Sequence, residues 1–122
     1  MSVEPSEAAA NAMLDALALL MDGGSIELRS DDRVLVTLKL SDPATMPATA
    51  GELEFNDIAE NDVVARGAAT SARILGPDGF EILSCDVGDE NSDAVIKLKG
   101  TTQMFPGQPV QLRSFRLVMP HE

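Results

Sequence analysis

The fold class of this chain is decided by one stretch, Arg66-Gly-Ala-Ala-Thr-Ser-Ala-Arg-Ile-Leu-Gly-Pro-Asp-Gly-Phe-Glu-Ile-Leu-Ser-Cys-Asp-Val87. Two runs typical of β-strands flank Gly76-Pro-Asp-Gly79, where proline fixes a backbone angle and Asp-Gly favours a tight turn. Such a short connection between two alternating runs predicts a β-hairpin. The small residues 67–72 fit either a crowded β core or the close approach of another chain, and we favour the core.

Other parts of the chain repeat this pattern. Residues 25–30 and 34–40 alternate around a turn at Asp31-Asp32, which predicts a first hairpin with Ile26 and Leu28 facing the core. Further runs follow at 52–56, 94–99 and 110–119, the last being long. We therefore predict a mainly β fold, an antiparallel β-sandwich of Ig-like or jelly-roll-like type with about seven or eight strands. Its core is aliphatic, completed by Phe55, Phe80, Phe105 and Phe115.

A single helix is predicted ahead of the strands. Ser6 is a suitable N-cap, strong helix formers fill residues 7–21, and Gly23-Gly24 ends the helix. An apolar stripe must be buried, either as a cover on one end of the sandwich or against another subunit, and we favour the cover. The stripe consists of Met13, Leu17, Leu20 and Met21, with Leu14 beside it. The chain is thus one globular domain, with a leader and helix in residues 1–24 and the β-sandwich in residues 25–122.

Composition excludes several function classes. The 122 residues carry a net charge of −11 and only 3% aromatic residues, which argues against nucleic-acid binding and against anionic membranes. The charge is uneven, because residues 1–93 have a net charge of −14 and residues 94–122 one of +3. Charges of this kind usually solvate strand faces, and the alternative is head-to-tail pairing with copies of the chain. Residues 1–5 show no secretory signal, so we expect assembly in the cytoplasm.

Few residues have a pattern that indicates chemistry. The oxygen ligands Asp86, Asp89, Glu90 and Asp93 form a calcium candidate, but the run lacks the EF-hand spacing, and a solvated acidic loop is favoured. Cys85 lies in a half-buried strand, and His121 is the sole histidine. No base, nucleophile or phosphate loop is arranged for catalysis, so we expect neither enzymatic activity nor a cofactor.

The order of several short signatures is shared with a known family. They are Asn11-Ala-Met-Leu-Asp-Ala-Leu17, Gly23-Gly-Ser-Ile26, Leu40-Ser-Asp-Pro43, Gly67-Ala-Ala-Thr70, Arg73-Ile-Leu75 with Asp78-Gly79, Val87-Gly88, Gly107 before Ser114-Phe115, and Pro120. In this order the chain resembles a family of small structural proteins encoded in the virion modules of tailed bacteriophages and prophages. Leu28 and Ala72 stand where relatives usually carry an aromatic residue.

The resemblance implies a non-enzymatic virion structural protein. We expect a capsid decoration (cement) protein that binds the major capsid shell as a homo-oligomer, for example a trimer, and is assembled in the bacterial host cytoplasm. The alternative is a minor structural or adhesion protein of the tail, neck or baseplate. A calcium- or carbohydrate-binding module is a third class. The interface candidates come from the N-terminal residues 1–24, the Pro-rich loop 43–51 and a basic strand pair: Met13, Leu17, Pro43, Met46, Pro47, Lys97, Lys99, Arg113 and Arg116.

Overall fold

The computed structural model describes residues 4–89, 91–92, 94–98, 102–110, 112 and 116–119. Within these residues the chain forms one helix and eleven strands. In chain order they are α1 (Glu7–Met21), β1 (Ser25–Ser30), β2 (Arg33–Lys39), β3 (Glu52–Glu54), β4 (Asn61–Asp62), β5 (Gly67–Ala68), β6 (Ser71–Leu75), β7 (Glu81–Asp89), β8 (Ile96–Leu98), β9 (Gln103–Met104), β10 (Pro109–Val110) and β11 (Arg116–Val118).

The strands form one main sheet and three small ones. The main sheet has the order β2-β1-β6-β7-β8, and the two-stranded sheets are β10-β4, β11-β3 and β5-β9. The predicted mainly β, sandwich-like fold with one N-terminal helix is confirmed, although the described residues form eleven short strands where seven or eight were expected. One pairing differs from the expected antiparallel arrangement, because β8 runs parallel to β7 with Val87 opposite Ile96. The Asp86 carboxylate accepts a hydrogen bond from Val95 N–H at 2.8 Å. This bond holds the residue before β8 beside β7, so that the two strands run in the same direction.

The main sheet has one apolar and one polar face. Because residues directly opposite each other in antiparallel strands share a face, the pairing defines rows of side chains across the sheet. Two rows are apolar: Leu38-Ile26-Ile74-Leu83 and Val36-Leu28-Ala72-Cys85. The row between them is polar: Thr37-Glu27-Arg73-Ser84. The apolar face lies in a single core cluster together with Leu53, Phe55 and the helix residues Leu14 and Met21.

Two of the phenylalanines assigned to the core lie outside it. Phe55 is buried, but Phe80 and Phe105 are exposed, and Phe115 lies outside the described residues. Phe80 precedes the first residue of β7 and belongs to the hairpin turn, where no neighbouring strand covers it. Phe105 lies between β9 and β10, and the Arg66 guanidinium carbon stands 5.2 Å from the centre of its ring.

Two predicted strands are interrupted. The run from Arg66 to Leu75 is split into β5 and β6, because Ala69 N–H turns to Thr102 O and Thr70 N–H turns to Arg29 O. The long final strand 110–119 is replaced by β10 and β11, which pair with different partners. Local alternation does not reveal either break, since each depends on which distant strand binds the backbone.

The outer edge of β2 is closed by the chain itself. Three carbonyl groups on this edge, those of Leu35, Thr37 and Lys39, accept hydrogen bonds from segment 59–64. Their donors are Val64 N–H at 2.8 Å, Asn61 Nδ2 at 2.9 Å and Ala59 N–H at 3.0 Å. An open edge invites pairing with another chain. This edge is occupied, so these carbonyl groups are not free to pair with another chain.

Candidate functional site

The candidate site is built on α1. Ser6 Oγ accepts a hydrogen bond from Ala9 N–H at 3.2 Å, so the N-cap and the predicted helix bounds are confirmed. The helix ends where Gly23 adopts a φ of +73° and Gly24 N–H binds Met21 O at 2.9 Å. At Gly24 a Cβ atom would lie 2.0 Å from Leu75 O. A glycine at this position therefore lets the end of the helix rest directly on the backbone of the main sheet.

The inner face of α1 differs from the predicted stripe. Ala10, Leu14 and Met21 are buried, and Leu17 packs partly against the core, so the helix covers the β body as expected. Met13 and Leu20, however, point to solvent. The helix carries only three polar residues among fifteen, so its apolar periodicity does not single out one face.

The outer face of α1 is apolar and exposed. Leu19 is 74% exposed, Leu20 59% and Met13 46%, and the exposed Ala12 and Ala16 lie on the same side of the helix. No polar residue of the helix stands among them. An apolar helix face is normally covered by other parts of the protein or by a partner. The outer face therefore has the composition of a contact surface.

The Pro-rich loop 43–51 is fastened along one side of the helix. Three helix-side oxygen atoms accept hydrogen bonds from its backbone: Asp22 Oδ1 from Ala44 N–H at 2.8 Å, Asp15 Oδ1 from Ala48 N–H at 2.8 Å, and Asn11 Oδ1 from Gly51 N–H at 2.9 Å. The loop thus runs antiparallel to the helix. Its predicted contact residues Pro43, Met46 and Pro47 are exposed; Met46 and Pro47 lie between the anchors at Ala44 and Ala48, and Pro43 directly precedes the first of them.

A groove separates the helix from this loop. It has a volume of about 370 Å³ and includes Ala18 and Leu19 on the helix side and Pro43, Met46 and Pro47 on the loop side. Asp15 and Asp22 stand on the helix side of the same groove. We call it the helix–loop groove.

A second groove lies on the other side of Leu19, between the helix and the turn of the central hairpin. This helix–hairpin groove has a volume of about 500 Å³, and its lining includes Leu17, Leu20, Pro77 and Ile82. Phe80, 74% exposed, stands at its margin. We define the docking face as Met13, Ala16, Leu19, Leu20, Met46 and Phe80 with these two grooves.

The hairpin turn presents Phe80 in a defined geometry. Gly79, with a φ of +86°, closes the turn by a hydrogen bond to Gly76 O at 3.0 Å, and Asp78 Oδ1 accepts Phe80 N–H at 3.2 Å. A Cβ atom at Gly76 would lie 3.0 Å from Leu20 O. The predicted hairpin is confirmed, and its turn lies against the end of the helix instead of projecting freely.

The acidic groups of the grooves set the electrostatics of the docking face. Asp15, Asp22 and Asp78 line the two grooves, and none of them forms an ion pair within the described part of the chain. Glu81, also in the helix–hairpin groove, binds Arg73 Nε at 2.8 Å. Lys39 Nζ is engaged by Gly23 O at 2.7 Å. The free charges of the grooves are therefore negative.

The basic interface candidates do not lie on one strand pair. Lys97 is exposed on β8, which pairs with β7. Arg116 is exposed on β11, which pairs with β3, and its Nη1 stands 4.0 Å from Glu52 Oε2. The prediction of a basic strand pair is wrong for these two residues, because β8 belongs to the main sheet and β11 to a separate two-stranded sheet. Lys99 and Arg113 lie outside the described residues.

The acidic run organises its own loop. Asp86 Oδ1 accepts Val95 N–H and Asp89 Oδ1 accepts Asn91 N–H at 3.0 Å, while Glu90 and Asp93 lie outside the described residues. Among the residues that the structure covers, no three metal-ligating side chains converge. The described members of the calcium candidate, Asp86 and Asp89, therefore bind backbone N–H groups of their own loop.

Cys85 is half-buried, as predicted, and opposes Ala72. Burial, and to a lesser extent the charge of Asp86, raise the pKa of the Cys85 thiol to about 11. The thiol is therefore protonated at neutral pH, and a protonated thiol is a poor nucleophile and a poor metal ligand.

Sequence reasoning placed Met13, Leu17, Met46 and Pro47 at an interface but missed Leu19 and Phe80. Leu19 could have been found from the lack of polar residues around the helix. The sequence signal for the anchors Asn11, Asp15 and Asp22 is weaker. These residues recur at helical spacing, but the spacing identifies them as anchors only when the position of the loop is known.

Two further findings bear on the classes of function. In the described part of the chain, no helix has both the length and the apolar character needed to cross a bilayer. Compared with family models, with curated proteins and with solved structures, the chain matches none.

Proposed function

We propose that this protein is a non-enzymatic structural component of a tailed-bacteriophage virion, a decoration protein that binds the outside of the major capsid shell. One observation carries the proposal, namely the exposed apolar docking face on the helix, the loop and the hairpin turn. The resemblance to virion-module proteins supports a role in the virion, and a small acidic β domain with one such face suits repeated contacts on the lattice of a shell.

The docking face has the properties of a protein-binding surface. Contiguous exposed apolar patches on soluble proteins mark interaction sites. Leu19, Leu20 and Phe80 are among the most exposed large apolar side chains of the described residues, and all three line the helix–hairpin groove. Burying them against a partner would remove apolar area from water, which is favourable by about 25 cal/mol per Å² before the entropic cost of association.

The face is also held rigidly. The three anchors Asn11, Asp15 and Asp22 fix the loop, and the closed turn fixes Phe80. A surface that is ordered before binding loses less conformational entropy on association. On a lattice, a small contact of this kind gains strength when several copies bind together.

Sedimentation with particles tests the role. The full-length chain is mixed with expanded capsids that lack it, and the bound protein is counted per particle. We expect saturable binding with a copy number on the order of hundreds, as the repeated symmetry of a shell requires. The variant Leu19→Gln/Phe80→Ser should lose most of this binding, because both side chains lie on the docking face.

A matched variant serves as the control. Val64 is 73% exposed, like Leu19, and neither Val64 nor Val95 lines a groove of the docking face, so Val64→Thr/Val95→Thr should bind like the unmodified protein. Absence of binding to capsids rejects the decoration role. Attachment only to tails or necks, at about six or twelve copies set by ring symmetry, would replace it with a tail, neck or baseplate role.

A further inference from the structure

We propose that the docking face takes a protein surface in which an exposed apolar side chain is flanked by lysine or arginine. This inference rests on the proposed function for its location and adds the chemistry of the partner.

The apolar part of the argument comes from the shape of the face. Leu19 forms a ridge between two grooves of about 370 and 500 Å³, each open to solvent and lined by large apolar side chains. Grooves of this kind accept protruding apolar side chains, which become the anchors of an interface. The complementary surface therefore presents apolar side chains on both sides of a hollow that receives Leu19.

The charged part comes from Asp15, Asp22 and Asp78. Each carboxylate is fixed by one oxygen, which accepts a backbone N–H of Ala48, Ala44 or Phe80 respectively. The second oxygen of each has no partner among the described residues. Opposite charges placed around an apolar centre favour one partner over others and speed its association. The three fixed carboxylates therefore favour a partner surface with lysine or arginine beside its apolar side chain.

The same charges disfavour two other occupants. A second copy that used the same face would bring these acids against their own counterparts, and like charges opposed in this way are destabilising. An anionic lipid surface would be repelled for the same reason, since membrane-surface helices carry lysine and arginine on their polar side and α1 carries neither.

Peptide binding tests the inference on the full-length chain. Three short peptides share a Leu-Phe-Leu centre and carry lysine, serine or glutamate on both sides, and methyl NMR of the protein follows their titration. We expect shifts at Leu17, Leu19, Leu20 and Ile82, and about tenfold tighter binding of the lysine peptide than of the glutamate peptide at low salt. The difference should shrink as salt is raised.

Two isosteric variants separate the effect of the three groove carboxylates on peptide binding from the effect of net charge. Asp15→Asn/Asp22→Asn/Asp78→Asn keeps each acceptor oxygen and removes three charges from the grooves. Asp31→Asn/Asp32→Asn/Glu60→Gln removes three charges from exposed acids that line neither groove. Both change the net charge from −11 to −8. We expect only the first to abolish the preference for the lysine peptide.

Equal binding of the lysine and glutamate peptides would overturn the inference, and so would shifts outside the docking face or an equal effect of the two variants. Self-association that Leu19→Gln abolishes would identify a second copy as the occupant and overturn it too. The outcomes are separable from those of the proposed function. Capsid binding that is unchanged in Asp15→Asn/Asp22→Asn/Asp78→Asn supports the decoration role and rejects this inference. Selective binding of the lysine peptide without capsid binding supports this inference and rejects the decoration role.

Discussion

The two faces of α1 are made of the same kinds of residue and have opposite surroundings. Leu14 on the inner face is buried in the core, whereas Leu19 on the outer face is largely exposed. Within the helix, hydrophobicity does not distinguish them. What distinguishes them is the row of Asn11 and Asp15, continued by Asp22, which binds the loop and so fixes how the helix is rotated over the sheet.

This difference shows how a helix can serve two interfaces. Its inner face contributes to folding, and in the proposed function its outer face contacts a partner. In a protein that acts alone, a polar outer face would be expected, because surface helices of soluble proteins are normally polar on the solvent side. Substitutions on the two faces test whether the faces differ in their contribution to the free energy of unfolding as much as they differ in exposure.

The largest effect is expected on the inner face. Leu14→Ala should lower the free energy of unfolding by about 2–5 kcal/mol, because it leaves a cavity in a packed core. Urea denaturation followed by circular dichroism measures the change. A loss no greater than that of Leu19→Ala would show that the helix is not seated as described.

Removal of the N-cap acts on both faces equally. Ser6→Ala should cost about 0.5–2 kcal/mol, because Ala9 N–H loses its acceptor at the start of the helix. Ser6→Asp keeps an acceptor and should restore most of that stability. If both variants were equally unstable by the same urea assay, the cap would not be the cause.

The row of anchors between the faces is tested by Asp15→Ala. We expect a loss of about 0.5–1.5 kcal/mol and faster amide exchange at Ala48, whose N–H no longer has its partner. Asp15→Asn retains the acceptor oxygen and serves as the control. Unchanged exchange at Ala48 in Asp15→Ala would contradict the proposed anchoring.

The smallest effect on stability is expected on the outer face. Leu19→Ala should change the free energy of unfolding by less than about 0.5 kcal/mol, as is usual for exposed positions, while it weakens capsid binding. It is the same chemical change as Leu14→Ala in the same helix. A large loss of stability would mean that Leu19 is covered within the monomer.

Much of the fold was predictable because it depends on local signals. The helix from Glu7 to Met21, the turn at Asp31-Asp32 and the hairpin around Pro77 follow from caps, alternation and turn residues. The parallel partner of β7 and the break at Ala69 were not predictable in this way. Both depend on contacts between residues far apart in sequence, which no short window contains.

The candidate site was predicted in part for the same reason. Met46 and Pro47 were recognised because two prolines in a connecting loop indicate an irregular surface segment. Phe80 was assigned to the core because alternation continued into the turn, and Lys97 and Arg116 were grouped because the final strands were assumed to pair. The exposure of Phe80 depends on its position in the turn, and the separation of Lys97 from Arg116 depends on which sheet each strand joins. The hydrophobic pattern alone indicates neither property.

The fastening of loop 43–51 has a consequence for how this surface can be altered. The anchors at Ala44 and Ala48 divide the loop into short spans, each matched in length to a stretch of the helix beside it. Substitutions at the exposed Met46 or Pro47 leave the anchoring N–H groups in place, whereas inserting a residue between the anchors would shift one anchoring N–H relative to its acceptor. In the proposed docking face, binding preference would therefore be altered by replacing side chains while the length of each span is kept constant.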